Sequence, residues 1–150
     1  MKRRIFVAAP LPKALQSTVK GAITKFHWLP IRWLRPEDWH ITLIPPAYLE
    51  DPEIHELGVL LGKRRLGKSF QVRFDRIALA PPGTSARMVW LEGDTPRELV
   101  KLKERLEAIW GTSTILPRLE SEERPYRLHV TLARFQPGDL KALGAKTAVL

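Results

Sequence analysis

Three features of this 150-residue chain predict an α+β fold of two lobes. Strand-like and helix-like segments follow one another in the same order twice. Each half closes on the same tetrapeptide pattern, His40-Ile41-Thr42-Leu43 and His129-Val130-Thr131-Leu132. The apolar spacing also switches repeatedly between the two-residue period of strands and the 3.6-residue period of helices. The expected architecture is two antiparallel sheets with flanking helices around a central groove, related by a pseudo-twofold axis, with residues 1–150 forming a single two-lobed domain. Outside the motifs the halves do not align, so the repeat is one of structure rather than of sequence.

The elements follow in order. Ile5 to Ala9 reads as a strand, and Pro10-Leu11-Pro12 turns it into a helix whose face carries Leu15, Val19, Ala22, Ile23 and Phe26. Pro30 lies at or beyond the end of that helix. Ile31 to Leu34 and Trp39 to Ile44 are strand-like and are separated by the turn Arg35-Pro36-Glu37-Asp38. Pro45-Pro46 is expected to stop the second strand. Asp51-Pro52-Glu53 then opens a helix, with Asp51 as cap, Pro at the first helical position, and Ile54, Leu57 and Leu61 as the buried stripe. Gly62 to Gly67 is a basic, glycine-bounded exit.

In the second half, Phe70 to Ala80 and Ala86 to Glu92 read as strands joined at Pro81-Pro82-Gly83. Thr95-Pro96-Arg97-Glu98 has capping-box spacing with Thr95 as cap. Leu99, Leu102, Leu106 and Ile109 form a helical face that Gly111 ends. A charged loop containing Pro117 and Pro125 leads to the second motif strand, Leu128 to Ala133. The tail reads as a short helix at 139–143 and a strand-like end at 147–150.

Composition narrows the function. No Cys is present, which excludes disulfides, thiolate metal sites and a Cys nucleophile, and fits a reducing compartment. The basic start is followed by an apolar run that is short and broken by two prolines, unlike a signal peptide or a membrane span. Lys and Arg number 25 against 16 Asp and Glu, for a formal charge of +9. That excess favours an anionic partner, nucleic acid being the commonest for a small domain, although a Lys/Arg-rich surface can also serve solubility or thermostability.

The repeated motif carries the chemistry. Side chains alternate along a strand, so each His and the Thr two residues later project from one face, with Ile41 or Val130 and then Leu43 or Leu132 packing behind. One such motif is readily explained as a half-buried His beside an ordinary β-forming Thr. Two copies on a basic chain favour function. A pair of imidazoles near neutral pH can remove one proton and deliver another, and two hydroxyls can donate hydrogen bonds to non-bridging phosphoryl oxygens. The natural reaction is in-line displacement at phosphorus. It calls for no metal and no cofactor, and neither a His-Glu-x-x-His pattern nor a carboxylate cluster accompanies the motifs.

His27, at a helix end, and His55, on a polar helix face, read as surface residues. Arg124, Arg127 and Arg134 flank the second motif, and a guanidinium fork suits phosphate, although a solvated rim explains them too. Arg134 stands five residues beyond His129, so simple alternation puts it on the opposite face unless the strand bulges, and a structural ion pair is an equal reading. Lys63-Arg64-Arg65 reads as a solvated helix end, with contact to an RNA backbone as the lesser alternative. Trp33, Trp39 and Trp90 read as core; Trp28 and Trp110 lie at helix ends, and any exposed Trp could stack on a base.

Taken with their flanks, these motifs resemble the two-histidine phosphoesterase superfamily, and within it the RNA 2′,3′-cyclic phosphodiesterases, or 2′-5′ RNA ligase-like proteins. The resemblance spans residues 3 to about 136. It is carried by Arg4-Ile5-Phe6-Val7-Ala8, Leu34-Arg35-Pro36-Glu37, Arg87-Met88-Val89-Trp90 and, most specifically, the run from Arg124 to Arg134.

The resemblance implies a bilobal α+β enzyme that opens an RNA 2′,3′-cyclic phosphate to a 2′-phosphate. It implies His40 as the proton donor to the departing 3′ oxygen and His129 as the proton acceptor that activates water, roles the sequence would equally allow reversed. Thr42 and Thr131 would bind phosphoryl oxygens, with Arg127 and Arg134 as further substrate contacts. The implied partner is RNA with a 2′,3′-cyclic phosphate end, tRNA fragments included; a cytoplasmic monomer without membrane attachment is expected. Two other readings remain: a 2′-5′ phosphodiesterase or ligase acting on oligonucleotides or small nucleotide cyclic phosphates, and a non-catalytic RNA-binding domain. Departures from the family pattern are Ile44-Pro45-Pro46-Ala47-Tyr48 where many members carry Phe-Leu-Gly, and Leu128 where Pro is usual. The chain also ends at Leu150 where relatives continue through another strand or two, so the C-terminal strand is expected to be incomplete.

Overall fold

The computed structural model describes residues 1–82 and 85–139. Its elements run β1 (Arg3–Pro10), α1 (Lys13–Ile23), β2 (Arg32–Trp33), β3 (His40–Leu49), α2 (Asp51–Gly62), β4 (Arg76–Ala80), β5 (Met88–Glu92), α3 (Arg97–Gly111) and β6 (His129–Arg134). Among the described residues the fold is α+β, with two antiparallel sheets and three α-helices. One sheet pairs β1 with β3; the other has the order β2-β6-β5-β4. The tail helix and strand expected from the sequence lie outside the described residues, apart from Asp139 in a turn.

Two compact units divide the chain. The first comprises residues 1–8, 42–72 and 95–127. There α2 packs on α3, and Leu57, Leu99, Leu106, Ile109 and Trp110 are buried. The second comprises, of the described residues, 9–41, 73–82, 85–94 and 128–139, and contains the whole four-stranded sheet. Its core is built from Val19 and Ile23 of α1, Trp39, and the sheet residues Val89, Leu91, Val130, Leu132 and Ala133. The expected α1 face is thus half right: Val19 and Ile23 are buried and Leu15 is partly so, but Ala22 faces solvent. Among the described residues no helix is long and apolar enough to cross a membrane.

Several local expectations give way to tertiary context. Strand β3 runs through Pro45-Pro46 to Leu49 instead of stopping there. In a two-stranded sheet one edge of β3 has no partner among the described residues, and of two consecutive prolines, whose nitrogens point to opposite edges, one falls on that free edge and costs no ladder bond. The long strand expected from Phe70 is formed only over Arg76–Ala80. Residues 70–75 alternate half-buried and exposed side chains as a strand would, but their one main-chain bond to β5 is Asp75 N–H to the Glu92 carbonyl at 2.9 Å, and the regular ladder of β4 begins at Arg76.

Both expected helix caps move as well. Glu50, not Asp51, caps α2: its side chain takes the Glu53 backbone N–H while its own N–H donates to the Glu53 carboxylate at 2.8 Å. Asp51 instead accepts an ion pair from Arg3 at 2.6 Å. Helix α3 starts one residue later than expected, with Pro96 at the cap position and no side-chain cap bond.

Candidate active site

The second motif is set by β6, the inner strand between β2 and β5. Val130 and Leu132 are fully buried, while His129 and Thr131 are half-buried on the other face. The register fixes what surrounds them: Glu92 stands opposite His129, and Trp90 opposite Thr131. Trp90 lies diagonally beneath His129, with ring centroids 4.0 Å apart and an interplanar angle of 25°. This stack limits the imidazole's rotation about its side-chain torsions. From the sequence Trp90 reads only as core, because cross-strand neighbours are not visible in the chain order.

Beyond Thr131 the strand bulges. Val89 pairs with Ala133 and Trp90 with Thr131, so Leu132 is an extra residue with no partner on β5. A bulge reverses the side-chain alternation. Leu132 and Ala133 are both buried in succession, and Arg134 emerges on the face of His129 and Thr131. The expectation from unbroken alternation is thereby corrected. The structural ion pair expected as an equal reading is not formed among the described residues; Nη1 of Arg134 lies 3.7 Å from the Met88 sulfur on the paired strand.

The first motif opens β3. Trp39 is buried to 1% exposure and anchors the strand entry, while a one-turn 3₁₀ helix at Pro36–Asp38 precedes it. The Nδ1–H of His40 donates to the Asp38 carbonyl at 2.7 Å. With Nδ1 protonated, Nε2 is the nitrogen whose proton can be exchanged with a substrate. Ile41 and Leu43 are buried, and His40 and Thr42 share the opposite, half-buried face of the strand.

A polar clamp grips the backbone just after His40. The Tyr126 hydroxyl donates to the Thr42 carbonyl at 2.6 Å, and Nζ of the buried Lys103 donates to the Leu43 carbonyl at 3.0 Å. Lys103 is flanked by Glu122 at 3.4 Å and Glu107 at 3.6 Å, and it lies 5.2 Å from the centre of the Tyr126 ring. Burial, reinforced by the Glu122 carboxylate, pushes the Tyr126 hydroxyl up to about 12, which keeps it a neutral donor near pH 7. Neither clamp residue could be singled out from the sequence, because their targets are main-chain atoms far away in the chain.

His40, His129, Thr131 and Arg134 thus belong to one compact unit; Thr42, Arg124 and Arg127 belong to the other. Arg124 and Arg127 are exposed, as are His27 and His55. Among the tryptophans only Trp28, 68% exposed, offers an open ring face, while Trp110 is buried with its indole N–H on the Pro117 carbonyl at 2.7 Å. A cavity of about 560 Å³ in the first unit is lined by Glu107, Glu120 and Glu122 against Lys103 and Arg118, a balance that does not suit an anion. Among the described residues no three His, Asp or Glu side chains gather as metal ligands.

The fold is that of the two-histidine phosphoesterase superfamily. Residues 5–90, more than half of the chain, match the model of the LigT like phosphoesterase family, and the chain belongs to that family. It is 26% identical over 136 residues to the RNA 2′,3′-cyclic phosphodiesterase of Bacillus subtilis, covering 89% of this chain and 72% of that protein. In structure it resembles E. coli LigT complexed with 3′-AMP, with a TM-score of 0.72, 23% identity, and coverage of 91% of this chain and 75% of that one. It also resembles TT0787 of Thermus thermophilus, with a TM-score of 0.72, 22% identity, and coverage of 99% and 80%.

Proposed function

We propose that this chain is a metal-independent phosphodiesterase that opens the 2′,3′-cyclic phosphate at an RNA end to leave a 2′-phosphomonoester. The main support is the pair of His-x-Thr strands, which put two imidazoles in one compact unit, each with a hydroxyl on its own strand face. The Bacillus relative carries the same activity in its name.

In the proposed reaction His129 Nε2 or Nδ1 takes a proton from water as its oxygen attacks phosphorus. The bond from phosphorus to O3′ breaks in line, and His40 Nε2 supplies the proton that O3′ needs. Thr42 and Thr131 donate hydrogen bonds to the non-bridging oxygens, whose negative charge grows during attack. Arg127 and Arg134 provide cationic contacts for the substrate phosphates. After turnover His40 is neutral and His129 charged; exchange with solvent restores both. The Nδ1–H bond of His40 to Asp38 favours the donor role, because it holds the ring with Nε2 aimed away from its own backbone. The formal +9 charge supports RNA as the substrate, tRNA fragments among the candidates.

The test is turnover of an oligoribonucleotide with a defined 2′,3′-cyclic end in the presence of chelator, with the product monoester identified. A 2′-phosphate product is expected. A 3′-phosphate, or no turnover, would overturn the reading.

A further inference from the structure

The face of the four-stranded sheet that carries His129 and Thr131 holds two arginines directly opposite one another. Arg32 on the edge strand β2 pairs with Arg134 on β6, so both side chains project from the same side. Like charges set directly across a ladder, with Cβ atoms about 4.5–5.5 Å apart, destabilise a sheet. Nothing among the described residues neutralises the pair: Arg32 makes no ion pair there, and Arg134 reaches only the Met88 sulfur. Among the strand-paired positions of this face Glu92 is the single carboxylate, and it is bridged to Arg76 at 3.7 Å. The bulge at Leu132 is what turns Arg134 to this face, and bulges that re-aim a side chain cluster beside active sites.

We propose that Arg32 and Arg134 form a binding site for the phosphodiester on the 5′ side of the terminal nucleotide, making oligonucleotides the preferred substrates. The proposal rests on the cyclic-phosphodiesterase reading. With the bulge counted, the pair lies four strand steps from His129, about 13 Å, which is farther than one phosphoryl group spans. An isolated 2′,3′-cyclic nucleotide has a single phosphate, so with that phosphate at His129 it offers the arginine pair none. A chain with an internal phosphodiester offers one, and two guanidinium forks match its two non-bridging oxygens. Protection of the sheet edge by a charged residue would explain Arg32 alone. It does not explain a second arginine brought opposite by a bulge in the neighbouring strand.

The experiment compares wild type, Arg32→Ala and Arg32→Gln on a mononucleotide 2′,3′-cyclic phosphate and on an oligoribonucleotide with the same terminal residue. Thermal unfolding serves as a check on the fold. Binding of a non-reactive 3′-phosphate oligoribonucleotide is titrated against salt in parallel. Both variants should raise the oligonucleotide KM about tenfold more than the mononucleotide KM, with kcat nearly equal, and should reduce the salt slope by about one counterion. Equal effects on the two substrates, or no change in the salt slope, would overturn the arginine-pair site and leave Arg32 as an edge guard. If the wild type turned over neither substrate, the phosphodiesterase reading would fail, while the salt titration would still decide whether the pair binds a nucleic-acid backbone.

Discussion

At the scale of single residues, the two histidines divide one proton-transfer task. His40→Ala and His129→Ala should each lower kcat by about 10²–10⁴-fold without unfolding the protein. Either variant keeping more than about a tenth of wild-type activity would count against paired acid–base catalysis. Thr42→Val and Thr131→Val should be milder, each losing a hydrogen bond to a charged oxygen worth about 1.5–3 kcal/mol. With one imidazole neutral and the other charged in the active form, kcat/KM should be bell-shaped in pH, and a monotonic rise through neutrality would contradict the proposed donor and acceptor roles. Trp90 acts one contact away, through its stack on His129. Its contribution should be about 0.5–1.5 kcal/mol, read as a lower kcat in Trp90→Leu and partial recovery in Trp90→Phe.

The strand elements are held by contacts that local sequence does not specify. Tyr126 and Lys103 clamp the Thr42 and Leu43 carbonyls of β3. Tyr126→Phe leaves a main-chain acceptor without its donor and should cost about 1–3 kcal/mol in denaturant unfolding. The hydroxyl's raised value also has a pH consequence. The native state holds the Tyr126 proton more tightly than the unfolded chain, so the associated stability is present below pH 10 and declines as pH rises toward 12. Tyr126→Phe should flatten that alkaline decline.

Gly93, just past β5, tests close packing at the end of the same sheet that carries His129. A Cβ there would overlap the Arg73 carbonyl oxygen. Overpacking costs about 1–3 kcal/mol and more when backbone must move, so Gly93→Ala should lower the unfolding midpoint clearly. An unchanged midpoint would mean that the Arg73 segment yields freely.

For the whole molecule, charge and the make-up of the site set the outcome. Activity is expected to survive excess EDTA, since the proposed mechanism draws on imidazoles, hydroxyls and guanidinium groups; loss restored by one particular metal would point to a metallophosphoesterase. The formal +9 predicts that oligonucleotide affinity falls steeply with salt, and that Arg124→Ala or Arg127→Ala each flatten the slope by about one phosphate contact. Equal salt dependence for a mononucleotide would show that these arginines do not track a backbone.

The sequence by itself determined the class of fold, the order of the main elements, and which two strands bring a His and a Thr to one face. Those properties follow from periodicity, and periodicity is written in consecutive residues. It did not determine where strands end or which residues meet across them. Pro45-Pro46 reads as a stop although β3 runs through it, and residues 70–75 read as strand although the regular ladder begins only at Arg76. Thr95 has the right spacing for a cap, yet Pro96 sits at the helix boundary. Tertiary structure alone placed Trp90 under His129, Tyr126 and Lys103 on the β3 carbonyls, and Arg134 beside Thr131 opposite Arg32. A single residue without a partner on β5, Leu132, decided the last of these. Alternation predicts a face only while the register is unbroken, and register belongs to a pair of strands rather than to either one.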